Sequence, residues 1–208
     1  MDNLIKHIED LKKSSIKGTI EEKIREFKEL KENPIDDIFK ELCFCIMTAN
    51  CSAEKCIEIH QKIGYDFLTL SEEHLKCKFK ELGYRFPNLR AYYIIESRKF
   101  KDLLEIKLKN YDNEKELRDW IVKNIKGLGY KESSHFLRNI GYDNYAIIDF
   151  HIIDILIRHK LIEKPKTITK ALYLEIESVL QKLANDLNLT LAELDLYLWF
   201  LETGKILK

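Results

Sequence analysis

The sequence predicts an all-α protein, roughly ten helices joined by short loops, and three observations carry that expectation. Apolar residues recur at helical spacing along almost the whole chain; in 113–126 (NEKELRDWIVKNIK), Leu117, Trp120, Ile121 and Ile125 share one face. Alternating, strand-like patterns are scarce, and Tyr145–Ile148 is at most a short extended piece. The third observation is punctuation. Starts are expected at Thr19 with Glu22, at Asn33 before Pro34, at Ser52, and at Thr190 with Glu193, where a side-chain oxygen accepts from an unpaired helix N–H. Stops are expected at Gly64, Gly83, Gly127, Gly141 and Gly204. No internal repeat, low-complexity run or Pro/Gly-rich linker interrupts this pattern.

The 208 residues suffice for one domain or two small lobes around a good core. The opening MDNLIKHIEDLKK is charged throughout, unlike a secretory signal, and no apolar run is long enough to span a bilayer. A cytoplasmic protein is therefore expected. The five cysteines (Cys43, Cys45, Cys51, Cys56 and Cys77) are odd in number and lack the tight repeated spacing of a metal or iron–sulfur site. Cys43, Cys45 and Cys51 lie on an apolar segment and are expected as small core residues. Abundant Ile, Lys and Glu with few Gln is a composition shared with proteins from hot environments. Formal net charge is zero, which argues against a uniformly basic nucleic-acid binder. Yet Lys76 to Lys101 holds eight Lys/Arg against only Glu81 and Glu96, so one basic face is expected there.

The least ordinary stretch is GLGYKESSHFLRNIG, 127–141, which holds three of the chain's seven glycines. A helix is expected to end near Lys126 and another to begin near Lys131, so Gly127-Leu128-Gly129-Tyr130 must reverse the chain. Glycines there leave backbone N–H groups uncovered at a partly positive helix start, a natural seat for a phosphate. Leu128 is placed to plug the gap between the helices. Lysine in a first helix turn is electrostatically disfavoured, and that setting lowers the pKa of an amine and favours its nucleophilic form. Eighteen residues after Lys131, Asp149 follows Ala146-Ile147-Ile148 and opens an apolar helix. An acid there is an ordinary N-cap; in an apolar pocket it can also accept a proton or steady a developing cation. His151 lies in the same helix start, within reach of a phosphate or simply partly exposed.

G-L-G-Y-K followed by the acid of I-I-D-F-H resembles the helix-hairpin-helix, Gly/Pro…Asp signature of base-excision DNA glycosylases. The resemblance implies a two-lobed helix-hairpin-helix DNA glycosylase fold with its active site in the cleft between lobes, all of 1–208 forming one unit and the hairpin lying at 113–141. It implies that Lys131 attacks C1′ of the damaged nucleotide, that Asp149 is the essential carboxylate, that Gly127 and Gly129 grip a DNA phosphate, and that His151 contacts a phosphate. The last cysteine is Cys77, which excludes the branch with a C-terminal iron–sulfur cluster; the lysine implies lyase activity.

A small, helical, cluster-free chain ending W-F-L-E-T-G-K-I-L-K resembles the archaeal type 2 family of 8-oxoguanine DNA glycosylase/AP lyases, from the Met-Thr-Ala-Asn-Cys-Ser segment at 47–52 to the terminal lysine. In the last helix Leu191, Leu194, Leu198 and Leu201 line one face, and Trp199 falls off that stripe. The resemblance implies that Trp199, Phe86 and Lys208 form the base pocket. Arg85 would fill the space of the extruded nucleotide or touch the opposite base; Asn50 would do likewise or cap the helix before Ser52. 8-Oxoguanine carries an N7–H donor where guanine has an acceptor, so an acceptor facing N7 distinguishes the two. The C-terminal carboxylate and a backbone carbonyl are both candidates. The implied enzyme is a monomer that flips 8-oxoguanine out of duplex DNA, forms a lysine Schiff base and cleaves by β-elimination, with no cofactor, no metal in the chemistry and no membrane partner. Its place is base excision repair at the nucleoid of a prokaryote, and a hairpin can hold a structural cation through its carbonyls. The alternatives are a glycosylase for another oxidised base and a non-catalytic hairpin that only binds DNA.

Overall fold

The computed structural model describes residues 2–110 and 114–208, and these form thirteen helices with no strand. They fall into two compact units, residues 1–29 with 137–208, and residues 30–136. The hairpin region begins, on the sequence reading, at Asn113, which lies outside the described residues.

The first unit is discontinuous in sequence. It gathers α1 (Asp2–Lys12) and most of α2 (Ile16–Lys31) with the end of α10 (Tyr130–Asn139), α11 (Phe150–Arg158), α12 (Lys170–Asp186) and α13 (Leu191–Thr203). Leu4, Ile8, Ile20 and Ile24 from the N-terminal helices and Ile152, Ile155, Leu183 and Leu194 from the later ones are buried within it. Such area burial, about 25 cal/mol per Å² of apolar surface, holds short helices together far better than their propensity does. The helix start expected at Thr19 is absent, because α2 already runs from Ile16 and Thr19 is one of its exposed residues. The break comes earlier: Ser14 Oγ donates to Leu11 O (2.7 Å) and accepts from Ile16 N–H (3.2 Å). At α13 the Thr190/Glu193 capping box forms as expected and Gly204 ends the helix in the left-handed region. The helix is not one-sided, however. Ala192, Leu196 and Tyr197 are buried along with Leu191, Leu194 and Leu198, while Leu201 at the end is exposed.

The second unit runs α3 (Ile35–Thr48), α4 (Ala53–Ile63), α5 (Asp66–Thr69), α6 (Glu72–Glu81), α7 (Pro87–Arg98), α8 (Lys101–Asn110), α9 (Glu114–Asn124) and the start of α10. Phe39, Phe44, Phe67, Phe79 and Phe136 form its aromatic centre. Ser52 caps α4, accepting from Lys55 N–H at 3.3 Å. Asn33 does not cap α3; the residue at that position is Pro34, extended at ψ 150°, whose ring offers no acceptor. Cys43 and Cys45 are core residues as expected, whereas Cys51 is only half-buried; none of the five cysteines is in a disulfide.

Of the eight cations expected to make a basic face over 76–101, four are ion-paired. Lys76 pairs with Glu72 at 2.7 Å, Lys78 with Asp66, Lys99 with Glu96, and Lys101 with Asp36 at 2.5 Å. Arg98 donates to Phe67 O and Leu70 O at 2.8 and 2.6 Å, closing the end of α5. Among the described residues no helix is long and apolar enough to cross a membrane.

Candidate active site

The glycine turn between α9 and α10 is built inside the second unit. Residues 125–129 connect the helices, one residue longer than the sequence suggested, with Ile125 N–H still bonded to Ile121 O at 2.9 Å. Gly127 takes φ +85°, a region nearly closed to residues with a Cβ. Tyr93 of α7 packs against its bare face: a Cβ added there would lie 2.9 Å from Tyr93 Cε2 and closer still to Cδ2. Leu128 is buried at 4 % exposure, as a plug should be. Gly129 does not share the positive φ of Gly127, and its N–H is not left uncovered as expected. It donates to Glu132 Oε2 at 3.3 Å, the N-cap N–H answering the acid three residues on.

Lys131 is the second residue of α10, in the first turn as expected. Its amine is not alone there, since Nζ lies 3.2 Å from Glu132 Oε1. One carboxylate thus touches both the amine and the hairpin N–H. Arg118, buried beneath this helix start, donates to Ser134 Oγ at 3.1 Å and lies 5.1 Å from the Tyr130 ring centre. On another side is Cys56, whose thiol donates to Met47 O; burial pushes it up from the usual thiol range, while Arg90 and Lys131 act in the opposite sense.

The second unit also holds Asn50, Arg85 and Phe86. Asn50 is exposed at φ +62°, a backbone that asparagine tolerates better than most, and it caps nothing, because Ser52 does so. Arg90 fixes this turn by donating to Ala49 O at 2.8 Å, and its guanidinium also lies 5.7 Å from the Phe86 ring. Exposed Arg85 stands 5.0 Å from the same ring. Phe86 is half-buried and precedes Pro87 at the start of α7.

In the first unit, Asp149 caps α11 and accepts from Ile152 N–H through Oδ1 at 3.0 Å; Oδ2 takes no hydrogen bond among the described residues. The extended segment before it is pinned to α12. Tyr173 Oη donates to Ala146 O at 2.6 Å and accepts from Ile148 N–H at 3.3 Å, and Ala146 N–H donates to Glu177 Oε2 at 3.1 Å. This is why an isolated extended piece keeps its shape with no strand partner. Asp195 of α13 shares a small cavity wall with Ala146, Ile147 and Ile152. Burial pushes its carboxyl up to about 6, against the attraction of Arg138, whose Nη1 is 3.3 Å from Oδ2; the charge of Asp149 adds to the rise.

Three aromatic rings follow Asp149. Phe150 lies 3.9 Å from the His151 ring centre, and His151 meets Trp199 edge-on at 5.0 Å. Phe150 is 68 % exposed, the most exposed of the large apolar residues among those described. Trp199 is half-buried, and its Nε1–H is buried without a hydrogen-bond partner among the described residues. Lys208 is half-buried at the chain end.

The structure therefore gathers Asp149, His151 and Trp199 in one unit, and Asn50, Arg85, Phe86 and the hairpin with Lys131 in the other. Sequence reasoning missed Glu132, Arg90, Tyr93, Tyr173 and Asp195. Glu132 alone carried a signal, an acid three residues past Gly129; the others act through contacts far apart in sequence. Among the described residues no group of His, Cys, Asp and Glu is arranged to hold a metal ion.

Comparison with known proteins places this arrangement. Residues 20–189 match the profile of the helix-hairpin-helix 8-oxoguanine DNA glycosylase domain. The chain is 52 % identical over 206 residues to the 8-oxoguanine DNA glycosylase/AP lyase of Methanocaldococcus jannaschii, covering 99 % of both chains, and 47 % identical to that of Korarchaeum cryptofilum, covering 100 % of this chain and 99 % of that one. It superposes with TM-score 0.95 on the M. jannaschii 8-oxoguanine glycosylase/lyase solved with a 15mer DNA containing 8-oxoguanine, at 52 % identity and 99 % coverage of both. The 8-oxoguanine DNA glycosylase of Thermotoga maritima superposes with TM-score 0.91 at 39 % identity, covering 100 % of this chain and 99 % of that one.

Proposed function

This chain belongs to the 8-oxoguanine DNA glycosylase family, and from that premise we propose which of its residues do the work. It is a bifunctional glycosylase/AP lyase that binds damaged DNA and excises 8-oxoguanine. Lys131 is the nucleophile. Its amine attacks C1′, the bond from C1′ to the base breaks, and the base leaves with a proton. The sugar opens to an imine on Nζ; loss of the C2′ proton then expels the 3′ phosphate. Asp149 is the carboxylate that takes the amine proton or balances positive charge on the sugar, through the oxygen its capping bond leaves over.

Gly127 and Gly129 grip a DNA phosphate, and His151 contacts another. Phe86, Trp199 and Lys208 form the base pocket; supporting Trp199 is its half-buried ring, edge-on to His151 at 5.0 Å. Arg85 and Asn50 contact the DNA around the vacated stack, and both are exposed. The protein works as a monomer on the chromosome, one chain of 1–208 acting as a single glycosylase unit.

The observation that carries the assignment is the lysine itself, held in the first turn of α10 directly after a five-residue glycine turn. Borohydride trapping on an 8-oxoguanine duplex tests it. Wild type is expected to give a covalent complex, Lys131→Gln none, and Asp149→Asn a complex that forms at least about a hundredfold more slowly. A covalent complex with Lys131→Gln removes the lysine from this role.

A further inference from the structure

We propose that Glu132 is a positioning residue that holds the Lys131 amine and the Gly129 N–H in the DNA-free protein and releases both when a DNA phosphate arrives. The inference rests on Lys131 as nucleophile. Capping needs only one carboxylate oxygen, and Oε2 already accepts from Gly129 N–H at 3.3 Å. The other oxygen lies 3.2 Å from Lys131 Nζ, and the Glu132 side chain is 16 % exposed. Both groups it touches are those the reaction needs free. An ammonium held by a carboxylate has no lone pair to offer a sugar carbon.

A DNA phosphate at the hairpin presents the same charge and the same acceptor as Glu132, so the two compete for Gly129 N–H. Phosphate capture there costs Glu132 its capping contact and loosens its hold on Lys131. Nucleophile release is thereby coupled to backbone engagement.

The test uses Glu132→Gln in the full chain. The glutamine carbonyl still accepts from Gly129 N–H, so the start of α10 is kept and only the charge is lost. The first readout is reductive labelling of Lys131 by glyceraldehyde, a small aldehyde without phosphate, with borohydride, quantified by mass spectrometry of the Lys131 peptide. Labelling is expected to be about three- to fivefold faster in Glu132→Gln, the worth of a partly exposed ion pair. The second is affinity for undamaged duplex, expected to tighten by a similar factor at low salt, with the gain shrinking as salt rises. A purely structural cap predicts unchanged labelling, since loss of the charge by itself tightens only the duplex affinity. Labelling equal to or slower than wild type, or duplex affinity unchanged at low salt, overturns the proposal. Wild type that gives no trapped complex on the 8-oxoguanine duplex would instead overturn the assignment of Lys131.

Discussion

Replacing Asp195 with asparagine sets two electrostatic rules against each other. Its carboxylate faces Arg138 at 3.3 Å, with side chains 12 % and 4 % exposed. Removing one partner of a buried pair ordinarily costs about 3–5 kcal/mol. The protonation of Asp195 says otherwise. Burial, the largest cause, raises its carboxyl from 3.8 to about 6 even with Arg138 attracting the charged form. Ionising Asp195 beside the arginine is thus harder in the fold than in the unfolded chain. The difference is about two pH units, about 3 kcal/mol.

Because the folded state binds the proton more tightly, this position contributes most below pH 3.8. Its contribution falls as pH rises towards about 6 and is level above. Asparagine resembles the neutral acid and does not titrate. Asp195→Asn is therefore expected to lie within about 0.5 kcal/mol of wild type at pH 4 and to be more stable by about 2–3 kcal/mol at pH 7.5. Urea denaturation of both proteins at several pH values measures the difference and cancels every other titrating group. A variant less stable than wild type at pH 7.5, or a difference that does not change between pH 4 and 6.5, refutes the reasoning.

Gly127→Ala must accept φ +85° and push back the Tyr93 ring, so a loss of about 2–3 kcal/mol is expected; Tyr93→Ala should relieve part of it in a double-mutant cycle by thermal denaturation. Thr190→Ala removes the hydroxyl half of the capping box at α13 and should cost about 1 kcal/mol in the same assay. Phe150→Ala should change stability by less than about 0.5 kcal/mol, since the ring is 68 % exposed. The same substitution should weaken binding of lesion duplex about five- to tenfold without altering the salt slope, as loss of an aromatic stacking surface does; an unchanged affinity would show that the ring stays clear of DNA.

Much of this protein is local and therefore readable in one dimension. Helical periodicity and the caps at Ser52, Asp149 and Thr190 depend on neighbours three or four residues apart, and all three caps stand where the sequence put them. The placement of Lys131 in a first helix turn and of Asp149 at the next start is local in the same way. So is the family signature, which is a spacing. Where local cues competed, the chain alone could not choose between them: Thr19 has a capping pattern but lies within a helix that Ser14 had already opened.

The rest was decided by contacts between distant segments. Joining residues 1–29 to 137–208 is a matter of which apolar faces bury one another, and no periodicity encodes the partner. Half of the positive charge at 76–101 is taken into ion pairs, two of them with acids, Asp36 and Asp66, that come close only in the fold. Tyr173 pins the segment before Asp149 from twenty-five residues away. Asp195, an ordinary acid in the sequence, acquires its raised carboxyl only when burial strips its water. Sequence determined where the helix starts and their caps stand; tertiary structure decided how each group is held and charged, because solvent exposure and proximity exist only after folding.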